Sequence, residues 1–280
     1  MPGPSVRAVT DASTVTVETP ESGITQITMA RPERLNAISP ELIADLQNAL
    51  EEVERDRSQR AVVLTGTGRG FCSGADLKAG GDQEFSEPPD RSRLGAIYDM
   101  QLDLANLMLK IYELRVPVIA AVNGPAVGGG LAIALHCDVR VAAESARFGS
   151  VFIKVGLSSL DVGNSYLLPR IVGAGRAREL MLTGRIFDAA EAERIGLVSQ
   201  VVPDGQVVEA ALEIARLIAA NNEYGVWMTK LGANATLDAP SLRHAMELEN
   251  RTQVLGTFTG NMTEASQAFR EGREPRWNPL

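Results

Sequence analysis

The chain has 280 residues and a net charge of −8, because 35 aspartates and glutamates outnumber 27 lysines and arginines. Apolar residues make up 45% and charged residues 22%, a globular composition that excludes a disordered, collagen-like or coiled-coil chain. The negative charge argues against nucleic acid as the main partner, since phosphate binding needs clustered lysine and arginine. Two cysteines 65 residues apart and two lone histidines indicate neither a disulfide scaffold nor a metal site.

The first seven residues lack the apolar core of a secretion signal, so the cytoplasm is the expected compartment. One uncharged stretch, residues 116–137, is long enough to cross a bilayer. Its centre contains Asn-Gly-Pro at 123–125 and three glycines at 128–130, which would break a spanning helix in lipid. The sequence therefore predicts a buried strand, a turn and a buried helix there, and no membrane association.

The first half of the chain alternates strand and helix signals. Loose apolar alternation predicts strands at 14–18 and 24–29. Ser39 followed by Pro40 begins a helix as N-cap and first-turn proline. Further elements are expected as a strand at 61–64, a polar surface loop at 80–92, a helix at 94–114, a strand at 117–122, a helix from 128 and a strand at 138–142. This order is the βαβ pattern of an α/β protein with a parallel or mixed sheet.

The second half is mostly helical. Helices are predicted at 162–172, 174–183, 188–195, 206–220 and 239–256, interrupted by a strand at 197–202. We place a boundary near residue 205, which divides a core, 1–205, from a helical C-terminal region, 206–280.

Two segments run from a buried strand through glycines toward a helix, at 62–77 and 118–132. Glycine permits a close approach of the backbone to a ligand, and the first amides of a helix have no internal partner. Two such turns facing one point would give one oxygen two backbone donors, which suits an oxygen that becomes negative during a reaction. A dinucleotide loop would need glycine where Phe71 stands, and no Gly-Lys-Ser/Thr follows for a Walker loop. Simple chain reversal is the alternative for either loop alone.

Several motifs resemble the enoyl-CoA hydratase/isomerase (crotonase) superfamily, in order over residues 12–275. They are RPERLNA at 31–37, GFCSGADL at 70–77, NGPAVGGG at 123–130, LTGR at 182–185, AAEA at 189–192 and GLV at 196–198. The resemblance implies a crotonase-like spiral of ββα units with a helical C-terminal trimerisation region. It also implies an acyl-CoA substrate, no cofactor beyond the coenzyme A of that substrate, and a homotrimer or a dimer of trimers.

The resemblance also assigns site residues. The backbone amides of Ala75 and Gly129 would hold the thioester oxygen in its enolate-like state. Contacts with substrate or coenzyme A would come from Arg34, Ala37, Ala75, Asp76, Leu77, Lys78, Gly128 and Phe269. Arg34 and Lys78 have the alternative of being solvated surface cations, and Asp76 that of shaping the first glycine turn. Phe269 would reach coenzyme A from a neighbouring subunit or from the tail.

The acid and base of the family's hydratases are missing. The positions of their two glutamates hold Ala132 and Phe152, and neither side chain can transfer a proton. Asp161 resembles a third position, used by members that isomerise double bonds, although its spacing from Gly156 is one residue longer. The alternative for Asp161 is an N-cap of the helix running to Ile171.

Other polar candidates are weaker. Ser158, Ser159 and Asn164 are interpreted as turn residues, and His136 with Cys137 as a satisfied core pair. Nothing in the sequence activates Cys72.

Three functions follow from this pattern. The first hypothesis is double-bond isomerisation or related α-proton chemistry, with Asp161 as acid and base. The second is hydration of an enoyl-CoA through a water held by Asp161. The third is an acyl-CoA-binding protein with little catalysis.

Overall fold

The computed structural model describes residues 13–76 and 92–280. Leu77, Lys78 and most of the predicted loop at 80–92 lie outside those residues. The strands are β1 (Val15–Glu21), β2 (Ile24–Met29), β3 (Ala61–Gly66), β4 (Val118–Val122), β5 (Ala126–Val127), β6 (Val139–Ala143), β7 (Arg147–Gly149), β8 (Phe187–Asp188) and β9 (Gln200–Val202). The helices are α1 (Pro40–Arg55), α2 (Arg93–Glu113), α3 (Gly129–His136), α4 (Asn164–Val172), α5 (Ala174–Thr183), α6 (Ala189–Arg194), α7 (Val207–Ala219), α8 (Glu223–Thr236), α9 (Leu242–Gly256) and α10 (Asn261–Glu271).

Within the described residues, the main sheet has six strands in the order β1-β2-β3-β4-β6-β9. Only the β1–β2 hairpin is antiparallel, and the other neighbours are parallel, as helical crossovers require. A smaller sheet, β5-β7-β8, lies beyond the end of β4. The α/β class predicted from the βαβ order is confirmed. Because the carboxyl ends of β3 and β4 share one edge, the glycine segments that follow them lie side by side.

Helix α1 forms where the sequence predicts it. Ser39 is its N-cap and accepts a hydrogen bond from the Leu42 amide at 3.3 Å, and Pro40 is the first helical residue. Apolar residues that recur at helical spacing form its buried stripe, namely Leu42, Ile43, Leu46, Ala49, Leu50 and Val53. This stripe covers one face of the sheet together with α2 and α3.

Helix α7 covers the opposite face. Its small buried residues, Ala211 and Ala215 among them, belong to one hydrophobic cluster with Ala61 and Val63 of β3. Val62 and Leu64, the alternate residues of the same strand, point into the larger cluster on the other side. The division at residue 205 stays a prediction, although α7 packs directly on the sheet.

The structure corrects the predicted start of one strand and of one helix, and it contains two helices that the sequence did not predict. The strand at 197–202 begins only at Gln200, because the Leu197 amide bonds the Ala192 carbonyl and Gly196, at φ +78°, ends α6. Helix α4 begins at Asn164 rather than 162, since Val162 and Gly163 both have positive φ. Helices α8 and α10 were absent from the prediction.

The uncharged stretch 116–137 forms the predicted strand (β4), turn and helix (α3), with an additional short strand, β5, that was not predicted. Across the described parts of the chain, none of the helices has the length and apolar character needed to span a bilayer.

Candidate active site

The two glycine segments are joined by backbone hydrogen bonds. The amides of Phe71 and Cys72 both donate to the Pro125 carbonyl, at 3.1 and 3.0 Å. The Val127 amide returns a bond to the Cys72 carbonyl at 3.1 Å. Spatially, the turn after β3 therefore lies directly against the turn after β4, as the predicted convergence requires.

Glycine is needed where these turns cross. A Cβ at Gly124 would lie 2.2 Å from the Arg69 carbonyl oxygen. At Gly130 it would lie 2.0 Å from the Cys72 carbonyl oxygen. Both contacts are with backbone atoms that cannot move aside, so any side chain would push the two turns apart.

Two asparagines that the sequence analysis did not single out hold the first turn. Asn36 is fully buried, and its amide nitrogen donates to the carbonyls of Thr67 and Gly70 at 3.0 and 2.8 Å. Asn123 donates from the other side to Gly68 and Gly70 at 3.0 and 3.2 Å. The backbone of Asn36 has φ +53°, a value that asparagine adopts more readily than most residues. The sequence signal that could have identified these two residues is their place inside the motifs at 31–37 and 123–130.

A small cavity of about 120 Å³ lies where the turns meet. Its lining residues are Ile38, Ser73, Gly74, Ala75, Leu104, Gly128, Gly129, Val151, Phe152, Val155, Leu157 and Asp161. The lining is thus apolar apart from backbone groups, one hydroxyl and one carboxyl. Three predicted catalytic residues, Ala75, Gly129 and Asp161, are brought together in one cavity.

The amides of Ala75 and Gly129 have no acceptor within residues 13–76 and 92–280. The neighbouring Gly128 amide does have one, since it donates to the Gly149 carbonyl at 2.9 Å. A Cβ added to Gly74 would lie 3.3 Å from the Gly129 nitrogen, so the two turns are in contact here. The site therefore contains, beside one cavity, two backbone N–H donors that bond no acceptor among the described residues.

Asp161 does not cap α4. The N-cap is Gly163, which has no side-chain capping bond, so the alternative reading of Asp161 is wrong. Its Oδ1 instead accepts a hydrogen bond of 2.5 Å from Nε2 of Gln101 on α2. No hydrogen bond reaches its Oδ2 from the described residues.

The two positions at which the resemblance predicts glutamates in a hydratase hold apolar side chains. Ala132 is fully buried inside α3, and Phe152 lines the cavity. Within the described lining, Asp161 is the sole titratable side chain. Any proton transfer by a described side chain of this cavity would therefore pass through Asp161.

Apart from Phe269, the described residues predicted to contact coenzyme A lie on the two turns or are joined to them by polar contacts. Ala75 and Gly128 line the cavity. Asp76 is buried and pairs with Arg31 at 3.0 Å, while Arg34 lies 3.9 Å from the same carboxylate. Arg31 also donates to the Ala37 carbonyl at 2.6 Å. The alternative that Asp76 shapes the turn is thus consistent with its ion pair.

Phe269 lies on α10, 87% exposed, and is not part of the cavity lining. Its contact with coenzyme A, from a neighbouring subunit or from the tail, stays a prediction.

The buried thiols and imidazole belong to the core. Burial raises the pKa of both Cys72 and Cys137 to about 12, so neither is a thiolate near neutral pH. Burial also lowers the pKa of His136, whose Nδ1 lies 2.8 Å from the Ala132 carbonyl oxygen. No group of three or more potential metal-ligating side chains occurs in the described ranges.

Comparison with known proteins identifies the family. Residues 19–279 match the family described as Enoyl-CoA hydratase/isomerase. The chain belongs to this family. A "Probable enoyl-CoA hydratase echA12" of Mycobacterium bovis is 47% identical over 264 residues, which are 94% of this chain and 92% of that protein.

Two further relatives show the breadth of the enoyl-CoA hydratase/isomerase family. A "1,2-epoxyphenylacetyl-CoA isomerase" of Escherichia coli is 36% identical over 257 residues, 92% of this chain and 95% of that one. The crystal structure of a probable enoyl-CoA hydratase/isomerase from Mycobacterium abscessus superposes with a TM-score of 0.88 at 38% identity, covering 95% and 99% of the two chains. The crotonase fold with C-terminal helices and the assignment as a family enzyme are therefore confirmed. The names of the relatives include both hydratase and isomerase.

Proposed function

We propose that the enzyme stabilises the enolate of an acyl-CoA thioester between the amides of Ala75 and Gly129. The observation that carries the proposal is that neither amide has an acceptor among the described residues and that both border a cavity that also contains Asp161. Removal of a proton next to a thioester carbonyl places negative charge on its oxygen. Preorganised backbone donors stabilise that charge more than they stabilise the neutral carbonyl.

The lead reaction is double-bond isomerisation with Asp161 as acid and base. Its carboxylate would take a proton from the α carbon of a 3-enoyl-CoA, which leaves a dienolate held by the two amides. The same group would return that proton to the γ carbon, and the product is a 2-enoyl-CoA. Because one group both removes and returns the proton, a single carboxyl suffices for this reaction.

Hydration is the second candidate, and it is favoured by the name "probable enoyl-CoA hydratase" of the Mycobacterium bovis relative. Addition of water requires a base for the water and an acid for the α carbon. With Ala132 and Phe152 at the two glutamate positions, Asp161 would have to serve both needs through one bound water.

A substrate panel separates the candidates. We expect purified enzyme to convert 3-enoyl-CoA or dienoyl-CoA substrates much faster than it hydrates crotonyl-CoA, followed by the absorbance of the conjugated thioester. Faster hydration of crotonyl-CoA would reverse the order of the two candidates. Tight binding of acyl-CoA without turnover on any member would instead support the non-catalytic binding protein.

For coenzyme A itself we propose that Arg34 contacts a phosphate. Its guanidinium is about one-third exposed and lies beside the buried carboxylate of Asp76, which holds the nearby cations in place. Ala37, Ala75, Asp76 and Gly128 would line the path of the pantetheine arm through their backbone. Leu77 and Lys78 stay predictions.

We propose that the chain acts as a homotrimer or a dimer of trimers in the cytoplasm. Large apolar side chains of the last helices are exposed in the single chain, including Phe258 at 83% and Phe269 at 87%. A monomer rarely exposes a large contiguous apolar surface, and α10 would bring Phe269 to a neighbour's coenzyme A. Sedimentation equilibrium of the full chain is expected to give a mass three or six times 29.9 kDa, and a monomer would contradict the assembly.

A further inference from the structure

The segment that carries Asp161 is a strained turn. The Asn164 amide donates to the Asp161 carbonyl at 2.8 Å, which closes four residues, and both central residues have positive φ, +35° at Val162 and +74° at Gly163. Turns of this form strongly favour glycine or asparagine at both central positions. A β-branched residue in that conformation persists only when its surroundings hold it there.

A buried cluster of three polar residues, Ser150, Ser159 and Asn164, lies under this turn. Each is 9% exposed or less, and Asn164 and Ser150 are fully buried. Nδ2 of Asn164 donates to the Ser150 hydroxyl and to the Ser159 carbonyl, both at 3.0 Å. The Ser150 hydroxyl donates to the Ser159 hydroxyl at 3.2 Å. The Ser159 hydroxyl in turn donates to the Met181 carbonyl at 3.0 Å.

These bonds connect both sides of the cavity. Ser150 precedes the lining residues Val151 and Phe152, and its neighbour Gly149 accepts the Gly128 amide at 2.9 Å. The two bonds from Asn164 thus link the segment after β7 to the turn that carries Asp161. The turn also packs against the buried His136 of α3. A Cβ at Gly163 would lie 2.6 Å from Nε2 of that histidine, so the close contact requires glycine.

The carbonyl oxygen of the Asn164 amide has no hydrogen-bond partner within the described residues. A buried acceptor left unpaired is unfavourable. A residue of the same size without polar atoms would avoid that cost, so the donor half of the amide is what the site uses.

We infer that Asn164 is a positioning residue, whose two side-chain hydrogen bonds hold the strained turn so that the Asp161 carboxyl projects into the cavity beside the Ala75 and Gly129 amides. This inference rests on the proposed function, because it acts through Asp161. Asn164 itself does not line the cavity and touches no reacting atom.

The test is a double-mutant cycle of Asn164→Ala and Asp161→Asn, followed by kcat and KM on the preferred enoyl-CoA. We expect Asn164→Ala to lower kcat on the order of 100-fold with KM nearly unchanged, since a small misplacement of a catalytic group has that effect. In the Asp161→Asn background the same substitution should change kcat by less than about threefold, because the group it positions is already inactive.

Gln59→Ala is the matched control. Gln59 is a buried amide with both ends bonded, to Thr25 and Asp56, but it lies at the amino end of β3. The Gln59→Ala variant should lose about as much thermal stability as Asn164→Ala and keep the kcat of the wild type. If Asn164→Ala does not fold, Ser150→Ala removes one acceptor of the same amide and should lower kcat in the same selective way.

The failures are distinct. Full activity of Asp161→Asn would overturn the proposed function, and with it this inference. Two results would overturn the inference and leave the proposed function intact, both with Asp161→Asn strongly impaired. One is a fully active Asn164→Ala. The other is a double variant whose kcat falls by the product of the two single losses.

Discussion

Asp161→Asn is expected to lower kcat for isomerisation by about 10²–10⁴-fold, the usual contribution of a positioned acid or base. Asparagine keeps the size of the side chain and an oxygen that can accept the bond from Gln101. It cannot take up and return the substrate proton. Because the carboxyl is the only titratable group in the described lining of the cavity, no neighbouring side chain there can replace it.

Binding should change little in this variant. The proposed thioester contacts are backbone amides, so the dissociation constant of a non-reactive acyl-CoA analogue, measured by calorimetry, is expected to stay within a few-fold of wild type. Asp45→Asn is the control. Asp45 is a half-buried aspartate of α1 that accepts bonds from the backbone and hydroxyl of Thr14 at 2.8 Å, and its loss should leave kcat unchanged. An Asp161→Asn enzyme with normal turnover would reject the catalytic role.

Local signals in the sequence were sufficient for helix α1 and for the two glycine turns. Ser39 and Pro40 set the start of α1, and its stripe repeats with helical spacing. The glycine turns were recognisable because glycines follow two buried strands. The structure gives the reason for the glycines, since a Cβ at Gly124 or Gly130 would strike a backbone carbonyl. These constraints act over a few residues, so a single sequence reveals them.

Helix α8 was missed because its buried residues are charged. Glu223 pairs with the buried Arg115 at 2.7 Å, and Lys230 with Asp138 at 2.8 Å. A helix that docks through ion pairs shows no apolar stripe, and its partners lie about a hundred residues away in the chain. Helix α10 is similar, since only Asn261 and Ala268 are buried. Periodicity therefore could not predict either helix.

The role of Asp161 was open in the sequence for a related reason. An aspartate directly before the predicted helical run at 162–172 is a reasonable N-cap, and only the positive φ of Val162 and Gly163 moves the start of α4 beyond its reach. The contact with Gln101 joins residues 60 positions apart. Backbone strain and long-range side-chain bonds have no local sequence signature, so the turn and its Asn164 support emerged only from the structure.

Gly129→Pro is expected to remove one donor of the proposed oxyanion site without breaking α3. Gly129 is the first residue of that helix, a position where proline is well tolerated because its nitrogen has no helical partner. Proline also restricts the residue before it to extended ψ values. Gly128 has φ 56° and ψ −121°, which for achiral glycine is the mirror image of such a conformation, so the backbone can remain as it is.

The matched control for this variant is Gly129→Ala. Either substitution places a Cβ about 2.6 Å from Cδ1 of Ile38, the end of a flexible side chain that can turn away, but alanine keeps the amide hydrogen. Loss of one oxyanion donor costs about 2.7–4 kcal/mol of transition-state stabilisation, so kcat of Gly129→Pro should fall about 10²–10³-fold below that of Gly129→Ala. Equal turnover of the two variants would show that the Gly129 amide does not bind the developing oxyanion, and the converged glycine turns would then serve the architecture alone.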